Sequence, residues 1–144
     1  MKPSDAAVLL AKMSAFDQRT IGEADAEAWA EALGDGVTLD DALDVVTDHY
    51  RASRDRIMPA DVLAAVRRVR VQRLRDAGTP PIPGDLSQQL ERIWRQRWCE
   101  LVKAGQSSAD AAQQVSGEMH LPEELPAVDR STALRQLIQG SKRA

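Results

Sequence analysis

The sequence predicts an all-α protein of 144 residues with a compact four-helix bundle at its N-terminal end. Only one Phe, three Trp and one Tyr are present, alanine is abundant and Val and Ile are modest in number, which disfavours a β-sheet. Apolar residues recur at helical spacing between recognisable helix start and stop signals. The predicted segments are the bundle at 1–78, a Pro/Gly linker at 79–85, a helical extension at 86–118, and an acidic connector with a short amphipathic helix at 119–144.

Two acidic helices are predicted at the start of the chain. The first runs from about Ser4, a good N-cap, to Phe16, and Asp5 suits the positive end of its dipole. Its apolar stripe consists of Leu9, Met13 and Phe16. The second covers about 23–33 and stops at Gly34. Its apolar stripe consists of Ala26, Trp29, Ala30 and Leu33.

Stronger start signals precede the third and fourth helices. Thr38 and Asp41 resemble a capping box, with Asp in place of the usual Glu, and open a helix that extends to about 51–53. Its apolar face consists of Leu39, Leu43, Val46 and Tyr50. Pro59 suits the first position of the fourth helix, which is predicted to stop at about Ala77, before Gly78. Ile57 and Val62, on either side of that start, have the spacing of a hydrophobic staple.

The stretch GTPPIPGD at 78–85 contains three prolines and two glycines, and no helix is expected to continue through it. Asp85 is predicted to cap a long helix at about 86–104 that stops at Gly105. Its apolar stripe consists of Leu86, Leu90, Ile93, Trp94, Trp98 and Leu101. A short helix is predicted at about 108–116, an extended acidic connector at 120–129, and a short amphipathic helix within 130–144.

Charge is distributed unevenly along the chain, although the net charge is only −3. Residues 1–50 carry three basic and eleven acidic side chains, whereas residues 51–104 carry twelve basic and six acidic ones. These two blocks either neutralise each other across one fold or face different partners.

Catalytic and targeting signatures are absent from the sequence. There is no P-loop, G-x-S-x-G or H-E-x-x-H pattern, so we expect a protein that is not an enzyme and needs no cofactor. Cys99 is the only cysteine, which excludes an internal disulfide and favours a reducing, cytoplasmic setting. No secretion signal or membrane-spanning run is recognisable. Asp44, Asp48 and His49 are interpreted as a solvated acidic face, and no metal site is predicted.

The main group of candidate binding residues is basic. The arginines concentrated on the fourth and fifth helices are Arg67, Arg68, Arg70, Arg73, Arg75, Arg92, Arg95 and Arg97. Because arginine binds phosphate and carboxylate groups well, they contact a partner protein, DNA or the acidic helices of the same chain. Trp94 and Trp98, which are interleaved with them, are expected to be buried.

The second candidate site is apolar. Leu134, Leu137 and Ile138 line one face of a helix that is too short to be stable alone. A segment of this kind either becomes ordered in a partner's groove or caps the protein's own core.

Three stretches of the N-terminal half resemble a known family. They are DQRTIGEADAEAWAEALGD at 17–35, DDALDVVTDHYRAS at 40–53 and RIMPADVLAAVRRVR at 56–70. Their order, with an aspartate–arginine turn, a Trp in the second helix and His-Tyr near the end of the third, resembles the N-terminal domain of phage replicative-helicase loader and inhibitor proteins. The resemblance is to the form common among actinobacterial phages and prophages, and it covers about residues 4–75.

The resemblance implies a small all-helical protein without ATPase activity that binds the hexameric replicative helicase and loads or inhibits it. It also implies an origin-binding initiator or a single-strand binding protein as a further partner. In the better-known relatives the helicase contact lies in a flexible C-terminal region. The Pro-rich break and the polar tail fit that plan, whereas the Trp-containing helix at 86–104 departs from it.

Two other functions remain open from the sequence. One is a direct DNA-binding regulator that uses the third and fourth helices as a helix-turn-helix. The start of the fourth helix argues against this, because recognition helices usually contact bases through their N-terminal residues. Here those residues are Pro59, Ala60 and Asp61, which offer few hydrogen-bond donors to bases and include a negative charge that phosphate repels. The other is a phage effector that binds a host protein.

Overall fold

The computed structural model describes residues 1–84 and 86–119 and confirms the all-α class. The described part of the chain consists of six helices and contains no strand. They are α1 (Pro3–Asp17), α2 (Glu23–Leu33), α3 (Leu39–Ala52), α4 (Pro59–Ala77), α5 (Gln88–Lys103) and α6 (Ser108–Glu118). Two compact units are formed, and the division between them falls inside α4, with Met1–Val69 in the first and Arg70 at the start of the second.

The start of α1 differs from the prediction. Lys2, and not Ser4, is the N-cap, because Pro3 occupies the first helical position, where its missing N–H needs no partner. The Lys2 backbone N–H donates to the Asp5 carboxylate at 3.2 Å, so Asp5 stabilises this end of the helix as predicted. At the other end Gln18 has a φ of 54°, which lets its N–H bond the Ser14 carbonyl at 2.9 Å.

The starts of α3 and α4 follow the predicted signals. The Thr38 hydroxyl accepts a hydrogen bond from the Asp41 N–H at 3.3 Å. At α4 the Asp61 carboxylate accepts from the Met58 N–H at 3.0 Å. Ile57 and Val62, the two staple residues, are both buried. These local contacts fix the direction in which the chain enters each helix.

The core of the first unit is drawn from α1, α2, α3 and the first half of α4. Its buried side chains include Leu9, Leu10, Met13, Trp29, Leu33, Val37, Val45, Val46, Ile57, Val62 and Val66. Phe16 departs from the predicted α1 stripe. It is half exposed and stacks on Tyr50 instead of entering the core, with ring centroids 5.0 Å apart.

The second unit has a separate core built on α5 and α6. Trp94, Trp98, Leu101 and Val102 of α5 are buried together with Ala111 and Val115 of α6. Trp94 and Trp98 are therefore buried as predicted. Ile93, which the sequence placed on the same stripe, is 47% exposed. The Nε1 of Trp98 donates to the Ser108 carbonyl at 3.1 Å and so ties α5 to the start of α6.

The helices α5 and α6 have the predicted order, with boundaries that differ from the prediction by one or two residues. Ser87 is the N-cap of α5, and its hydroxyl accepts a hydrogen bond from the Leu90 N–H. The helix therefore begins two residues later than predicted. The predicted cap, Asp85, lies outside the described residues. The predicted stop at Gly105 is confirmed, since Gly105 has a φ of 104° and α5 ends at Lys103, one residue before the predicted end at 104. The sixth helix extends to Glu118, two residues beyond the prediction.

No helix among residues 1–84 and 86–119 combines the length and the apolar character needed to cross a membrane.

Candidate functional site

A buried ion pair joins the end of α1 to the loop that follows it. The Nε of Arg19 donates to both carboxylate oxygens of Asp17, at 3.0 and 2.9 Å. The side chains are only 6% exposed at Asp17 and 11% exposed at Arg19. A charged pair in this position needs further hydrogen bonds to offset the loss of water.

Residues from α3 and from the start of α4 supply those further hydrogen bonds. The Tyr50 hydroxyl donates to Asp17 at 2.6 Å, and Nη2 of Arg19 donates to the Ile57 carbonyl at 3.3 Å. The guanidinium of Arg19 also lies over the Trp29 ring, 5.7 Å from its centroid. We call Asp17, Arg19, Trp29, Tyr50 and the Ile57 carbonyl the Asp17 network. It joins the end of α1 to α2, to α3 and to the loop just before α4.

The titration of the network follows from these contacts. The hydrogen bonds from Arg19 hold the pKa of Asp17 well below its ordinary value, against the opposing effect of burial, and the bond from Tyr50 acts in the same direction. Burial, with the nearby Asp17 carboxylate, raises the pKa of Tyr50. The carboxylate of Asp17 is thus held ionised and the phenol of Tyr50 is held neutral. This is a stable arrangement, without a group poised to exchange a proton near neutral pH.

Asp17, Arg19 and Tyr50 all belong to the stretches that resemble the helicase loader and inhibitor family, but the sequence did not predict that their side chains form hydrogen bonds with one another. Asp17 and Tyr50 are 33 residues apart, and Arg19 and Ile57 are 38 apart. The one available signal was the aspartate–arginine turn that follows α1.

A surface groove lies between α3 and α4 of the first unit. Its volume is about 490 Å³. The floor and walls are largely apolar and come from Val45, Ala52, Ile57, Ala64, Ala65 and Val69, and the polar rim consists of Asp48, His49, Ser53, Asp61 and Arg68. Val69 is 37% exposed, which leaves an apolar surface open at one end.

The predicted arginines fall into two groups in the structure. Arg67, Arg68, Arg75 and Arg92 are exposed and form no ion pair with another residue in 1–84 or 86–119. The others have partners within the chain. Arg95 bonds Glu91 at 2.7 Å, and Arg73 donates to the Lys103 carbonyl at 2.8 Å. Arg70 is half-buried and also has a contact.

Arg97 is the most firmly held of the paired arginines. Its Nε and Nη2 bond the two carboxylate oxygens of Glu118 at 2.9 and 3.0 Å, so α5 is joined to the end of α6. These bonds, with one from Gln114, lower the pKa of Glu118 to about 2. The predicted basic surface is therefore reduced on α5, where Arg95 and Arg97 are neutralised locally.

Two further groups of residues were singled out in the sequence: the acidic face with Asp44, Asp48 and His49, and the apolar side chains near the C-terminal end. The described residues do not assemble a site around either group. His49 bonds the Asp55 carbonyl through Nε2 at 2.7 Å, and Asp48 pairs with Arg51. Within residues 1–84 and 86–119 no group of three or more metal-ligating side chains is present. The tail residues Leu134, Leu137 and Ile138 lie outside the described part of the chain.

Comparisons of the sequence and the structure with protein-family models, curated proteins and solved structures find no match.

Proposed function

We propose that the protein is a non-enzymatic adaptor of DNA replication that binds the hexameric replicative helicase and loads or inhibits it in a bacterial cytoplasm. One observation carries the proposal. The residues that resemble the helicase loader and inhibitor family meet in the Asp17 network: the aspartate that ends α1, the arginine that follows it, the Trp of α2, the Tyr of α3 and the Ile before α4. The contacts join residues from all three of the resembling stretches, and this supports the proposal.

The exposed surface supports a protein partner better than a nucleic acid. Arg67 and Arg68 are exposed on α4, but Val69 beside them is exposed as well, and apolar groups favour protein contacts. The start of α4 would have to read bases in a helix-turn-helix. There the carboxylate of Asp61 caps the Met58 N–H and would face phosphate.

A capture experiment tests the proposal. The full chain, immobilised by a C-terminal tag, is incubated with lysate of a bacterial host, and bound proteins are identified by mass spectrometry. We expect the replicative helicase, and an initiator or a single-strand binding protein in addition. Binding is then measured with the purified hexamer. Absence of any interaction between the two purified proteins would remove the proposal.

DNA binding is tested separately by gel shift without helicase. A DNA-binding regulator would show strong affinity that falls steeply with salt. The double variant Arg67→Gln/Arg68→Gln would then lose that affinity, whereas Arg95→Gln, which removes an arginine that is already paired with Glu91, would not. For an adaptor we expect weak DNA binding at physiological salt with either variant.

The C-terminal segment is a proposed contact with the helicase. Deletion of residues 130–144 removes Leu134, Leu137 and Ile138 together with four basic side chains. We expect the deletion to weaken helicase binding and to leave the melting temperature nearly unchanged. A fall of many degrees in melting temperature would instead assign the segment to the protein's own core.

A further inference from the structure

The groove between α3 and α4 has the length of a short helix contact. Its α4 wall runs from Asp61 to Val69, eight residues apart and therefore about 12 Å long. An incoming helix with apolar side chains at positions i, i+4 and i+7 places its outer anchors about 10 Å apart. The exposed apolar lining along this length comes from Ala52, Ala64 and Val69, which lie over the buried Val45 and Ile57.

The rim of the groove on the α3 side is acidic. Asp48 is a rim residue whose side chain is 71% exposed and pairs with the equally exposed Arg51 at 2.9 Å, and Asp44 is exposed one helical turn before it. Asp61 adds a third carboxylate on the α4 side, and Arg68 is the single Lys or Arg residue of the lining. The whole first unit carries thirteen acidic and eight basic side chains. A cationic partner is therefore favoured both at the rim and at longer range.

We propose that this groove binds an amphipathic basic helix on the partner protein. Its aliphatic side chains lie on the apolar floor, and its Lys or Arg side chains contact Asp44 and Asp48. The partner's identity as the replicative helicase rests on the function proposed above. The groove and the helical form of its occupant rest on the geometry of α3 and α4, and the occupant's charge rests on the rim residues and on the charge balance of the first unit.

A pair of matched substitutions tests the groove. Ala64→Arg places a long side chain in the α4 wall, and Ala28→Arg makes the same change on the exposed face of α2, away from the groove. We expect Ala64→Arg to weaken binding to the purified helicase at least about tenfold and Ala28→Arg to leave it within about twofold. Circular dichroism and melting curves establish that both variants are folded.

A second pair tests the charge of the occupant. Asp44→Asn/Asp48→Asn neutralises the acidic rim, and Glu27→Gln/Glu31→Gln neutralises an equally spaced, exposed pair on α2. Because exposed charge pairs contribute modestly, we expect the rim variant to weaken binding about three- to tenfold and to flatten its salt dependence, and the α2 variant to do neither.

The outcomes separate the two proposals. Helicase binding that is unchanged by Ala64→Arg overturns the groove inference and leaves the adaptor function standing. Binding that tightens in the rim variant overturns the basic character of the occupant. A loss in Ala28→Arg equal to that in Ala64→Arg also overturns the assignment to the groove. Failure of the unaltered protein to bind helicase overturns the adaptor function and, with it, the identity of this partner.

Discussion

Replacement of Asp17 by Asn removes the charge that the buried network of the first unit requires. Asn has the same shape as Asp, so the change leaves Arg19 in place with its guanidinium largely buried and without a counter-charge. Breaking a buried ion pair from one side costs about 3–5 kcal/mol, and the Asn oxygen recovers part of the hydrogen bonding. We expect a loss of about 3 kcal/mol in the free energy of unfolding of the first unit.

The same residue predicts how stability depends on pH. The pKa of Asp17 in the folded protein lies below its ordinary value, so the folded state favours the charged carboxylate. Its contribution to stability is fully present above pH of about 4, near the unfolded pKa, and is lost as the pH falls through the folded pKa. We therefore expect acid to destabilise the unaltered first unit more than the Asp17→Asn variant, which has no such carboxylate to protonate.

The assay has to report on the first unit alone, because two units can unfold at different denaturant concentrations. Trp29 belongs to the first core and the other two Trp residues to the second. Fluorine NMR of fluorotryptophan-labelled protein in urea therefore follows the first unit through Trp29.

The matched control for Asp17→Asn is Asp48→Asn, which breaks an exposed pair with Arg51. It should cost less than about 1 kcal/mol. An equal loss in the two variants, or an unchanged acid response in Asp17→Asn, would refute the reasoning.

Three further predictions concern the second unit. Trp98→Phe should lower the free energy of unfolding in urea by about 1–2 kcal/mol more than Trp94→Phe does. Of these two Trp residues, only Trp98 has a hydrogen-bond partner for its indole N–H within the described residues. Equal losses in the two variants would contradict this. Gly105→Ala should destabilise by about 1–2 kcal/mol, since its φ of 104° is strained for a residue with a Cβ, and a neutral result would argue against that backbone conformation. Carboxyl NMR titration should give Glu118 a pKa of about 2 that rises toward its ordinary value in Arg97→Gln. A pKa that does not move would show that this ion pair is not formed in solution.

The helices of this chain could be predicted from sequence because their signals are local. Pro59 before a run of apolar residues and Thr38 three residues before Asp41 determine backbone geometry within one turn, and α4 begins and ends as predicted. The prediction for α1 was wrong by two positions because Ser4 is a good cap but Pro3 is a better first residue. Pro3 and Ser4 are helix-start signals of similar strength, one residue apart, and residue propensities alone do not decide which of them sets the start of α1.

The candidate sites were less predictable because they depend on contacts between distant residues. Phe16 fits the apolar period of α1, but its ring stacks on Tyr50 at the surface. The arginines of α5 looked like a binding surface, but Arg97 is bound to Glu118, a residue of a different helix. The charge pattern of a sequence indicates which face of a helix is charged, but it does not indicate which side chain of another helix lies opposite that face. Ion pairs between helices can therefore be assigned only from the tertiary structure.

The Asp17 network and the proposed partner contact use different residues of the first unit. Asp17, Arg19 and Trp29 are largely buried, so these side chains determine how the four helices of the first unit are joined and offer a partner little surface. The proposed partner contact uses exposed positions instead, such as Ala64 and Asp48 at the groove, which lie within the resembling stretches and can be substituted at little cost to the fold. For that reason the decisive experiments on function alter the groove, while those on the network test the fold.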